Sequence, residues 1–160
     1  MNMYVVSAIL DVNPLGYFTH PWFWSSFLAW TVAQLIKLVR SAIATGDVDF
    51  TYLLSTGGMP SAHSAMATGL AVSIGLTEGF GTPVAMLAAG WAAITIFDAA
   101  TVRRAAGEQA KVLNLIVRDL KALTFKPDRL KELLGHSRKE VTAGWVLGII
   151  VAIITCHFFG

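Results

Sequence analysis

Two histidines, each set in a run of glycine and serine, are the residues of this sequence best suited to chemistry. His63 stands in Gly57-Gly58-Met59-Pro60-Ser61-Ala62-His63-Ser64, and His136 in Gly135-His136-Ser137-Arg138-Lys139-Glu140. Both runs read as helix starts, where free backbone N–H groups and the positive end of the helix dipole favour an anion. Lys37, Arg103 and Arg104 supply cations, and Asp98 lies just before the arginine pair. Together with the two helix starts these cations make a natural anion site.

Each residue also has a plain structural use. Ser61 is a good N-cap. Ser137 and Glu140 have the S-x-x-E spacing of a capping box. Lys37, Arg103 and Arg104 have the reach of snorkelling membrane anchors. The functional reading gains from coincidence: two His, one Lys and an Arg pair must fall on the same side of the molecule.

The placement of charge explains why they do. No Asp, Glu, Lys or Arg occurs in residues 12–36, 50–77, 79–97 or 141–160 of this 160-residue chain. About 20 apolar residues cross a bilayer as a helix, and so short a chain cannot hide four such stretches inside itself. The expected fold is therefore all-α, a single integral membrane domain over 1–160. Its spans lie near 21–40, 61–78, 83–102 and 137–158. Pro21 suits a first helical turn, Trp22, Phe23 and Trp24 suit an interfacial belt, and Pro83 opens the third span. The first ten residues lack the marks of a signal peptide, and Tyr4 and Tyr17 are expected at the interface.

Residues 104–124 differ from the spans. Leu113, Ile116, Val117, Leu120 and Leu123 share one helical face, while Glu108, Lys111, Arg118, Asp119 and Lys121 fall elsewhere. This is the pattern of an amphipathic interfacial helix. Gly144 and Gly148 form a small-xxx-small pair that lets another helix approach, and a homo-oligomer through them is one expected use.

Four spans put both termini on one face. The opposite face receives the loop after Arg40 and the segment from 103 to 139, and all 12 Lys and Arg lie there or just within its helix ends. The positive-inside rule makes that face cytoplasmic, and a bacterial inner membrane, or else an organelle membrane, is the expected setting. A net charge of +2 gives no reason to expect nucleic acid as a partner. The single cysteine, Cys156, can form neither an intrachain disulfide nor a zinc cluster.

The runs GGMPSAHSA, FDAATVRRAAGEQAKVLN and LKELLGHSRKEVTAGWVLG resemble the divergent branch of the type 2 phosphatidic acid phosphatases, relatives of the vanadium-dependent haloperoxidases. The likeness covers nearly all of the chain from about Trp30 onward. It implies a membrane helical bundle that binds phosphate without a metal or other cofactor. By this resemblance Lys37 holds the phosphate, Ser61 donates a hydrogen bond to it, and His63 protonates the leaving oxygen. His136 is then the nucleophile, oriented by Glu140 where the family usually has Asp.

Departures from the family pattern are equally plain. Ala62 replaces the usual Gly, and Ala44 stands where an Arg-Pro would begin. Leu130 stands where a Ser-Arg is expected before His136, so that Arg103 or Arg104, or less aptly Arg129, would have to supply the guanidinium; Arg103 is the favoured one. Asp98 is an addition that could pair with an arginine or bind a cation.

The resemblance thus implies a phosphatase acting on a lipid or isoprenoid phosphate. A non-catalytic lipid-phosphate binder or transporter is the alternative. A divalent-metal hydrolase using Asp98, a histidine and Glu140 is a further one.

Overall fold

A computed structural model describes residues 16–48, 50, 57–119 and 135–159. Among them the order is α1 (Gly16–Thr19), α2 (Pro21–Thr45), α3 (Ala62–Glu78), α4 (Pro83–Ala100), α5 (Val102–Asp119) and α6 (Arg138–Phe159). Helices α2 and α6, and the stretch Pro83–Val117 that holds α4 and most of α5, are long and apolar enough to cross a membrane. The 17 residues of α3 sit at the lower limit of about 17–25 for a span. Helix α3 packs against α2, α4 and α6, so its neighbours shield it from lipid and a greasy surface is not required. Tyr4, Leu120, Lys121, Leu123, Arg129 and Leu130 lie outside the described residues.

Each helix ends where local chemistry ends it. Helix α2 outruns the expected stop at Arg40 and closes at Gly46, a left-handed residue (φ 74°) whose N–H donates to the Ala42 carbonyl at 2.9 Å. Charge marks the membrane edge, but glycine stops the helix. Helices α3 and α4 start at the hydroxyl caps Ser61 and Thr82. Helix α4 breaks at Thr101, whose N–H is shared by the Phe97 and Asp98 carbonyls, and α5 begins one residue later. The amphipathic helix thus starts at 102, slightly before the expected 104.

The bundle inverts the ordinary arrangement of side-chain size. Its buried apolar residues are small, with Ala29, Ala33, Ala62 and Ala65 at the centre. The large ones, such as Leu87, Trp91, Ile94, Phe97, Ile153 and Ile154, are exposed. In lipid, hydrocarbon gains little by leaving one apolar medium for another, and close backbone packing holds helices together instead. Glycines make that approach possible. A Cβ at Gly69 would lie 2.8 Å from the Ser25 carbonyl oxygen of α2. A Cβ at Gly144 would run into the Ser61 carbonyl, and one at Gly148 into the Ala65 carbonyl. The close approach that Gly144 and Gly148 permit is made within the chain, to α3.

Gly144→Ala should therefore force α6 off α3 and cost about 1–3 kcal/mol, as overpacking does. Gly90, where an added Cβ meets nothing within 4 Å, should accept Ala with a gain of about 0.5 kcal/mol from reduced chain entropy. Unfolding midpoints in detergent test this. Equal effects at the two positions would refute the packing account.

Candidate functional site

The close approach of α6 to α3 aligns two helix starts. The Ser61 N–H donates to the main-chain carbonyl of Glu140 at 2.9 Å, and the absent side chain of Gly144 is what lets Ser61 lie there. The start of α6 is tied to α4 by a second backbone bond, from the His136 N–H to the Ala99 carbonyl at 2.9 Å. Three elements are thus joined by main-chain hydrogen bonds around one point.

At that point His136 is almost fully enclosed, 2% exposed. Its Nδ1 lies 3.2 Å from Glu140 Oε2. The same oxygen accepts the Ser137 N–H at 2.9 Å, and Ser137 Oγ accepts the Glu140 N–H at 3.3 Å. The capping box and the imidazole–carboxylate pair are therefore not rivals, since one carboxylate does both. A carboxylate can only accept, so the ring hydrogen belongs on Nδ1 and Nε2 keeps its lone pair.

Ser61 is fully buried, and its Oγ accepts from the Ser64 N–H at 3.3 Å and from the Ser64 hydroxyl at 3.0 Å. With its lone pairs engaged, its own O–H remains to be donated. His63, in the first turn of α3, is half-buried, and its ring centre lies 6.4 Å from that of His136. Lys37, 4% exposed on α2, runs its stem past Gly58, at 3.9 Å from where a Cβ would stand. Gly58 itself has φ 86°, a conformation that favours glycine.

Lys37 and Glu140 line one cavity of about 330 Å³, together with Arg40 and Gly57, Gly58 and Met59. Among the described residues two cations and one carboxylate face it, and that carboxylate is already shared with His136 and the Ser137 N–H. The balance favours an anion. Lys37, Ser61, His63, His136 and Glu140 are thus brought together. Sequence reasoning missed Arg40. It looked for a guanidinium seven residues after Lys37, whereas one stands three residues after it, close to one turn along the helix.

The arginine pair is not placed in the same way. Arg104 is exposed and does not line this cavity. The side chain of Arg103 lies outside the described residues. Asp98 is half-buried near the end of α4, beside the residue whose carbonyl holds His136. Among the described residues, no three of His, Cys, Asp and Glu gather closely enough to hold a metal ion.

A family model described as "Divergent PAP2 family" matches residues 18–151. The chain is also similar to the uncharacterized membrane protein YuiD of Bacillus subtilis (strain 168). That relative is 40% identical over 147 residues, covering 84% of this chain and 93% of the relative. No solved structure matches.

The two duties of Glu140 can be separated by nitrogen-15 spectra of the four histidines. His136 should carry its hydrogen on Nδ1. Ser137→Ala should keep that tautomer while costing about 1 kcal/mol of stability, the usual loss of a cap. Glu140→Ala should lose both. If Ser137→Ala abolished the tautomer preference as well, the histidine pair would be no more than a by-product of the cap.

Proposed function

The chain belongs to the divergent PAP2 family, and from that membership and the geometry above we propose a membrane phosphatase that hydrolyses a lipid phosphate monoester through His136. The carrying observation is the Nδ1 of His136 held 3.2 Å from Glu140 Oε2. It fixes the ring and leaves Nε2 as the nucleophilic nitrogen. Lys37 and the Ser61 hydroxyl bind phosphate oxygens. Nε2 attacks phosphorus as the ester P–O bond breaks, and His63 gives its proton to the leaving oxygen. Water then attacks the phosphohistidine, returning a proton to His63 and releasing inorganic phosphate. Glu140 stabilises the imidazolium character that His136 acquires.

His136 is covered, so turnover includes a step that uncovers it. The same observation supports a second reading, a protein that binds lipid phosphate without cleaving it. The one-sided placement of Lys and Arg supports a site on the cytoplasmic face of the membrane under either reading.

Purified protein should release phosphate from phosphatidic acid or an isoprenoid phosphate in the presence of a chelator, and form an acid-labile phosphoenzyme. Inverted membrane vesicles should cleave an added short-chain lipid phosphate, and right-side-out vesicles should not. His136→Ala should abolish the phosphoenzyme. His63→Ala should slow alkyl phosphates by the roughly 10²–10⁴-fold typical of general acid catalysis, while aryl phosphates should suffer much less. Near wild-type hydrolysis by His136→Ala would end the mechanism. Binding without release from any lipid would favour the second reading.

A further inference from the structure

A second and larger hollow, of about 800 Å³, lies between α2 and α6 and meets the cavity of Lys37 at Arg40 and Met59, which line both. Its walls are apolar, with Ile36, Pro60, Val146 and Ile150 among them. One end is cationic, since Arg40, Arg138 and Lys139 line it where α2 leaves and α6 enters. Among the described residues that line it, none is acidic.

Along α6 the groove runs from Arg138 to Ile150, twelve helical steps, or about 18 Å at the rise of 1.5 Å per residue. The hydrocarbon core of a bilayer is about 30 Å thick, so one leaflet accounts for about 15 Å. A partner's spanning helix would need a groove of the full thickness. The lining of this one reaches only about one leaflet deep, and its charge lies at the headgroup end.

Resting on the phosphate-site reading above, we infer that this groove seats a hydrocarbon chain of an anionic lipid from the leaflet on the site's face, and that Arg40 grips its phosphate at the junction of the two cavities. The chain gains little free energy by leaving lipid for an apolar groove, so the groove acts by position. It fixes where the head group arrives. Arg40 then provides the guanidinium that the family pattern would place seven residues after Lys37. A planar fork grips two phosphate oxygens, which an ammonium cannot do.

The test measures binding, without turnover, of labelled phosphatidic acid and of inorganic phosphate to the full-length protein in phosphatidylcholine nanodiscs. Val146→Trp and Ile150→Trp, one turn apart, each fill the groove. Either should weaken phosphatidic acid by about tenfold while leaving inorganic phosphate within about twofold. Arg40→Gln should weaken both ligands by about tenfold, the scale of one charged hydrogen bond, and Arg40→Lys should restore only part. Unchanged phosphatidic acid binding in both Trp variants, with normal inorganic phosphate binding, overturns the groove and leaves the phosphate site standing. Loss of a dimer in the Trp variants with lipid binding intact assigns the groove to a second copy and likewise overturns the proposal. A wild-type protein that binds neither ligand removes the phosphate site itself.

Discussion

The contact on which the rest of the structure depends is the approach of Ser61 to the first turn of α6. A hydrogen bond from the Ser61 N–H to the Glu140 carbonyl requires two backbones to come closer than side chains normally allow, and Gly144 provides the space. That single approach places the start of α3 beside the start of α6. Ser61 and His63 then face the neighbourhood of His136 and Glu140, and both helix dipoles present their positive ends there. A β-carbon at Gly144 would separate all four residues from their geometry together.

The second constraint is electrostatic. Lys37 is almost completely enclosed, and ionisable groups within membrane-spanning helices are costly and kept for a purpose. The Glu140 carboxylate lines the same cavity. Two helix starts add positive character, and that carboxylate is shared with an imidazole and a backbone N–H. Under the proposed function, a phosphate would accept from Lys37, from Ser61 and from nitrogen donors at the helix starts.

Much of this was legible in the sequence because membrane helices obey coarse rules. Charge-free stretches marked the long apolar helices, and Pro21, Ser61 and Pro83 marked helix starts. The S-x-x-E spacing of Ser137 and Glu140 held as a cap, and resemblance supplied the partner role toward His136. What resisted was set by packing. Gly144 and Gly148 signal a close helix neighbour without naming it, and the neighbour is α3 of the same chain. Arg40 was hidden by motif spacing, since a side chain one helical turn from Lys37 reaches the cavity that a residue seven positions on was expected to reach. Arg104 was drawn into the candidate set by its nearness to the end of α4, but adjacent helical residues point about 100° apart and this one faces outward.

The central claim is that one phosphate-sized anion is held jointly by α2, α3 and the start of α6, with His136 aimed at its central atom. An experimental structure of the full chain with vanadate tests it most directly, because vanadate adopts the five-coordinate geometry of a phosphoryl group under attack. The account predicts vanadium bonded to Nε2 of His136, Lys37 and the Ser61 hydroxyl on its oxygens, and Glu140 still on Nδ1. Vanadate bound elsewhere in the chain, or bound with His136 still enclosed and out of contact, would contradict it.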